Sequence, residues 1–185
     1  MKNNWLRVAV AALALFSGLA CAASEVSAPG TDTPAPASGG GAPQWGHQTK
    51  TSGCVVQGPF PDPACTPGDI LPDATKDKIC VSGYSSSVRN VPSSEKDAVY
   101  AEYGITHHTT GQYEVDHFVS LELGGSNDIS NLFPEASEPK PGFHEKDKVE
   151  NYLHEQVCSG AMTLADAQRA IATNWLDIYN QLPSK

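Results

Sequence analysis

Tyr113-Glu114-Val115-Asp116-His117-Phe118-Val119 is the run whose reading decides the fold. β-Branched and aromatic side chains dominate it, so it predicts a strand. Leu123-Gly124-Gly125-Ser126-Asn127-Asp128 follows as a turn, and Asn131-Leu132-Phe133 as a short second strand that Pro134 is expected to end. Strand, turn and strand make a hairpin. Beyond Pro139 and Pro141, apolar residues at Val149, Tyr152, Leu153 and Val157 recur at helical spacing, which predicts a helix from about Gly142 to Cys158. The fold class is therefore α+β, a hairpin-and-helix core with flanking helices.

Working outward, Pro92-Ser93-Ser94-Glu95 signals a helix capped by Ser93 or Ser94, with Val99 on its apolar side and Gly104 at its end. Thr163 with Asp166 three residues on opens a last helix, which turns Leu164, Ala167, Ile171, Trp175 and Ile178 inward. Between Cys54 and Leu71-Pro72 the chain is rich in the Pro and Gly of turns. The 185 residues suit one globular domain, expected over 52–185, with appendages before it.

Those appendages are legible from composition. Residues 1–23 run from Lys2 and Arg7 through an apolar stretch, Val8 to Phe16, into small residues, the order of a secretory signal peptide. The apolar stretch is too short for a permanent membrane span. Cys21 is a candidate lipidation site, as in a bacterial lipoprotein. Gly18 stands where such signals usually carry Leu, however, and ordinary cleavage after Ala22 or Ala23 fits at least as well. Residues 24–51 are Ala, Pro, Gly, Ser and Thr with few apolar groups, which reads as a disordered tether in which Trp45 and His47 are incidental. The expected location is outside the cytoplasm, periplasmic or secreted, with membrane attachment only through a lipid on Cys21.

Export leaves Cys54, Cys65, Cys80 and Cys158 in an oxidising compartment, where thiols pair. No Cys-x-x-Cys supplies the thiolate pairs of a zinc ribbon. Of the three pairings open to four cysteines, Cys54 with Cys65 and Cys80 with Cys158 is favoured, because the first closes a short Pro-rich loop.

Asp116 offers a hard anionic oxygen, His117 a base whose ordinary pKa of about 6.5 suits neutral pH, and His144 a second nitrogen from the first turn of the predicted helix. Asp116-His117, Leu123-Gly124-Gly125-Ser126-Asn127-Asp128, Asn131-Leu132 and His144-Glu145-Lys146-Asp147-Lys148 together resemble an HNH endonuclease of the ββα-metal class. The resemblance covers roughly Tyr113 to Cys158. It implies a ββα-metal core, a divalent metal held by Asp116 and His144, His117 as general base, and Asn131 holding the base and its loop. Mg²⁺ is the first candidate for the metal, then Mn²⁺, Zn²⁺ or Ni²⁺. The family often has Pro where Ser120 stands and frequently adds zinc-binding cysteine pairs, which are absent here.

Three further residues are candidates for an outer shell or for substrate. Glu114 falls two residues before Asp116, hence on the same strand face. Arg89 could meet phosphate, and Lys148 follows the helical motif. His107-His108 reads as an inert pair in a polar loop. Twelve Lys and Arg against 21 Asp and Glu, a net charge of -9, exclude a tight or processive binder of duplex DNA. The expected activity is hydrolysis of phosphodiester bonds in DNA, with RNA a further candidate substrate and the preference between them left open, on nucleic acid bound weakly and without sequence specificity, with no stable protein partner. The alternative is a non-catalytic exported lipoprotein or surface binding module that retains the fold.

Overall fold

The computed structural model describes residues 43–183. At its centre β1 (Tyr113–His117) and β2 (Leu132–Ala136) pair antiparallel. The register sets Glu114 opposite Glu135 and Asp116 opposite Phe133, so these four side chains share one face of the hairpin; Val115, His117, Leu132 and Pro134 share the other. Phe118 N donates to Asn131 O at 2.8 Å and continues the ladder one step past His117. Because hydrogen-bonded and non-hydrogen-bonded pairs alternate, Val115–Pro134 falls in a non-bonded pair. The missing N–H of Pro134 therefore faces away from β1, and β2 runs through this proline instead of ending at it.

The remaining order is α1 (Lys76–Ile79), α2 (Tyr84–Val88) and α3 (Ser93–Glu102) before the hairpin, and α4 (Phe143–Ser159) and α5 (Leu164–Gln181) after it. α1 and α2 are too short to leave a periodic pattern. In α3, Pro92 takes the cap position and Ser93 is already helical, so neither expected serine caps. Gly142 precedes α4, and Glu145 reaches back to its N–H at 3.1 Å. Thr163 caps α5 by accepting from Asp166 N, as its spacing suggests.

The main core joins Ile79, Val119 and Leu123 to Val149, Leu153 and Val157 of α4 and to Ala167, Ile171 and Trp175 of α5. Full burial of each larger side chain contributes about 1.5–3 kcal/mol. Tyr152 of α4 turns outward instead. A smaller cluster of Val99, Val115 and Leu132 seats α3 on the hairpin face that carries His117. Within the Gly124-Gly125 turn the two glycines answer different demands. Gly124 has φ of 75°, whereas a Cβ on Gly125 would fall 1.8 Å from Val119 O.

Cys54 is bonded to Cys65 and Cys80 to Cys158, with Cα separations of 6.1 and 5.7 Å. Two disulfides belong to an oxidising compartment. Among the described residues no helix is long and apolar enough to cross a membrane.

The domain begins earlier than residue 52. Trp45 packs against the main core, Gly46 N donates to Gly68 O, Thr49 N and Lys50 N donate to Ala64 O, and Lys50 pairs with Asp62 at 2.9 Å. One tryptophan supplies the buried area that the surrounding composition lacks. The expected signal peptide, Cys21 and the first part of the expected tether lie outside the described residues.

Candidate functional site

His117 closes β1 and is 2% exposed. Its Nε2 lies 3.2 Å from Oδ1 of Asn127. The orientation of that amide is fixed by backbone partners, since Oδ1 also accepts from Asn90 N and Nδ2 donates to Val88 O. An oxygen therefore faces the ring, which assigns the proton to Nε2 and leaves the lone pair on Nδ1. Nδ1 is buried and has no hydrogen-bond partner. Burial lowers the imidazole pKa to about 4, against the opposing pull of Asp116 and Asn127, so the ring is neutral at neutral pH.

On the opposite face of β1, Asp116 meets a buried ammonium. Lys146 of α4 is wholly enclosed, and its Nζ donates to Asp116 Oδ2 at 2.6 Å, to His117 O at 2.8 Å and to Glu150. Glu135 Oε2 stands 3.9 Å away. Burial alone would discharge the lysine, but Asp116, Glu150 and Glu135 outweigh it and hold the pKa well above the ordinary value. Burial likewise works to raise Asp116, yet the Lys146 ammonium beside it keeps this carboxyl low and ionised.

One ammonium neutralises one carboxylate, so the other two acids respond to burial. Glu135 is lifted well above its usual range by burial, with Asp116 adding to the effect and Lys146 opposing it, and neither of its oxygens has a hydrogen-bond partner. Glu150 is pushed up to about 7 by burial although Lys146 and Ser120 oppose it. The shifts of Lys146 and Glu150 look inconsistent for an ion pair. They agree once Asp116 is recognised as the main counter-charge of Lys146.

Asn131 is fully buried. Its Oδ1 accepts from Val119 N at 2.9 Å and Asp69 N at 3.2 Å, while Nδ2 donates to Val119 O at 3.0 Å and Ser126 O at 2.8 Å. The amide thereby clamps both ends of the loop that carries the Gly124-Gly125 turn.

At the head of α4, His144 is exposed with its ring 4.3 Å from that of Phe143. Asp147 is raised by burial and then by Asp116, with Lys146 and His144 opposing. Glu114 is raised by burial, then by Asp116 and Asp147. Mutual repulsion among these acids is relieved by a cation, and carboxylate oxygens beside an imidazole form a donor set that suits a hard divalent ion. Asp116, Asp147 and His144 are the donors of that kind in this region.

These donors are not drawn together to ligand distance. Among the described residues, the three-residue group of ligand atoms within 4.8 Å of one another is Cys80, His154 and Cys158. There the sulfurs are joined in a disulfide and His154 Nε2 lies 3.0 Å from Ile79 O, which leaves no thiolate for a metal. Of the outer candidates, Lys148 has Glu145 at 3.5 Å and the Tyr179 ring at 5.6 Å as its partners. Arg89 is exposed, between the two backbone groups that Asn127 holds.

Sequence reasoning missed Asn127, Lys146, Glu135 and Glu150. Lys146 had a signal, because it shares the inward helical face of Phe143, Val149, Leu153 and Val157, where a charge requires buried partners. Asn127 carried only the signature of a turn residue. No family model, curated protein or solved structure matches the chain.

Proposed function

We propose that the chain hydrolyses phosphodiester bonds in nucleic acid, DNA or RNA, and that β1, β2 and α4 constitute an HNH-type ββα-metal unit. One observation carries the reading: a neutral histidine whose tautomer is fixed by Asn127 and whose Nδ1 lone pair has no partner. A buried nitrogen left unpaired costs about 1–3 kcal/mol, and such an orphan calls for a role. General-base catalysis is the role we assign it, with burial leaving the resting imidazole a weaker base than an ordinary histidine. His117 Nδ1 takes the proton of the attacking water, and Nε2–H, held on Asn127 Oδ1, steadies the imidazolium that forms.

Asn131 keeps the loop beneath His117 in place, and Lys146 fixes the ionised Asp116. Asp116, His144 and Asp147 would hold a divalent ion, Mg²⁺ first among the candidates, which would supply positive charge for the phosphate and leaving oxygens. The 2% exposure of His117 favours a second reading, a non-catalytic exported binding module with the same fold.

Incubating the protein with plasmid, single-stranded DNA and RNA, in Mg²⁺, Mn²⁺ or chelator, separates the two. His117→Ala should retain metal by calorimetric titration and lose about 10²–10⁴-fold in cleavage. His144→Ala should bind metal more weakly and recover part of its rate in excess metal. Cleavage undiminished in His117→Ala removes this residue as the base, and no cleavage by the unaltered protein leaves the binding module.

A further inference from the structure

A cleft of about 320 Å³ opens beside β1, lined by Arg89, Lys96, Tyr100, Tyr113, Glu114 and Phe143 among others. Its volume lies at the lower end of the range for small-ligand pockets, about 300–1,000 Å³, which gives room for one nucleotide and not for a duplex. Glu114 stands two residues from Asp116 on the same strand face, and Phe143 adjoins His144 in the chain. The cleft therefore borders the strand and the helix that carry Asp116 and His144.

Its charge differs from that of the rest of the molecule. Lys76, Arg89, Lys96 and Lys140 are the described cations with no carboxylate within 4.0 Å among the described residues, and two of the four line this one cleft. Glu114 offsets one positive charge and leaves a net surplus of one. Arg89 is also positioned, because the Asn127 side chain that bonds His117 grips the backbone on both sides of it. The walls are aromatic: Tyr100 and Tyr113 are bridged by His108, whose ring lies 4.4 Å from the first and 6.3 Å from the second. Two cations beside fixed aromatic rings match a phosphate next to an unstacked base.

We infer that this cleft is a nucleotide subsite for single-stranded nucleic acid, with Arg89 and Lys96 on the flanking phosphates and Tyr100 and Tyr113 against an unpaired base. The inference rests on the hydrolase reading for its substrate and deepens it. A chain of net charge -9 is ill-suited to tracking duplex phosphates, but it can capture a strand locally through one base.

Fluorescence anisotropy of the full chain with a fluorescein-labelled oligodeoxythymidylate, and with a hairpin duplex of equal length, tests this with chelator present so that no cleavage intervenes. The single strand should bind at least about tenfold more tightly than the duplex. Arg89→Gln with Lys96→Gln should weaken it about tenfold and reduce the slope of log affinity against log salt by about 1.4, two phosphate contacts' worth. Tyr100→Leu and Tyr113→Leu should each lower affinity at least about fivefold, with circular dichroism and melting unchanged in the variants compared. No binding of the single strand, equal or tighter binding of the duplex, or indifference to Arg89 and Lys96 overturns the subsite. If the single strand is cut with unchanged KM in the Arg89/Lys96 variant, the subsite fails and the hydrolase stands. Binding that depends on those residues, without cleavage of any substrate, leaves the subsite and removes the hydrolase.

Discussion

Asn127 Oδ1 lies 3.2 Å from His117 Nε2, ten residues away in sequence, and the same amide holds Val88 O and Asn90 N. One side chain thus fixes which imidazole nitrogen carries the proton and where Arg89 stands. On the proposed function, protonation state and substrate contact would be coupled through a residue that touches no reacting atom, which would make Asn127 a positioning residue.

Asn127→Leu should release both. Nitrogen NMR of the His117 ring should report the Nε2–H tautomer in the unaltered protein and a mixture in the variant. Hydrolysis should fall about 10–100-fold, the usual effect of losing a group that orients a functional histidine. An unchanged tautomer would show that another group sets it.

Asn131→Ala removes four hydrogen bonds at a fully buried position and leaves Val119 N, Val119 O, Ser126 O and Asp69 N to find partners. Each group that finds none costs about 1–3 kcal/mol, so a loss of at least about 3 kcal/mol is expected in urea unfolding. Asn131→Asp keeps both acceptor bonds and loses both donors. It sets a carboxylate oxygen against Val119 O and Ser126 O at a fully buried position, so at neutral pH it should be at least as destabilising as Asn131→Ala despite its matching shape.

The hairpin, α4, α5 and the cysteine pairing were legible because each has a local cause: alternating β-branched residues, helical periodicity, a Thr–Asp cap, a short loop between Cys54 and Cys65. Pro134 misled because its tolerance depends on which edge of β2 faces β1, a property of register and not of the residue. Trp45 misled because a single aromatic side chain reaching across the chain ordered a segment of low-complexity composition. At the site, the sequence named His117 and Asp116 but not what they touch. Asn127 and Glu150 act through contacts 10 and 30 residues away in sequence, and these exist only after folding.

Tyr103 gives the fold an alkaline limit. Its hydroxyl pairs with Thr66 Oγ1 at 2.7 Å and accepts from Asp62 N at 3.2 Å, and burial pushes its pKa up to about 12 despite those bonds. The folded state thus prefers the neutral phenol. The associated stability is complete below pH of about 10, the unfolded value, and is lost as pH rises through about 12. Denaturant midpoints measured across that window should fall, with tyrosinate absorbance rising alongside, and Tyr103→Phe should flatten the decline.

The disulfides should contribute unequally. Cys54–Cys65 spans 11 residues and Cys80–Cys158 spans 78. Loop-closure entropy predicts about 3 kcal/mol from the first and about 4.5 kcal/mol from the second. Paired Ser substitutions compared by chemical unfolding measure both, and equal losses would show that chain entropy is not what distinguishes them.

Lys146 is where stability and chemistry separate. Its ammonium has no exposed surface and answers Asp116 at 2.6 Å, so Lys146→Met leaves an ionised carboxylate deprived of its counter-charge. Removing one member of a buried pair typically costs about 3–5 kcal/mol, mostly from the charge left behind. Asp116→Asn in the Lys146→Met background removes that charge and should restore a good part of the loss, as a coupling of about 0.5–3 kcal/mol in a double-mutant cycle. Activity should not follow. The double variant lacks the β1 carboxylate proposed to hold the metal and should remain inactive at any metal concentration, although it unfolds at higher urea than Lys146→Met alone. A double variant no more stable than the single would mean that Asp116 is not the principal partner of Lys146, and would turn attention to Glu150.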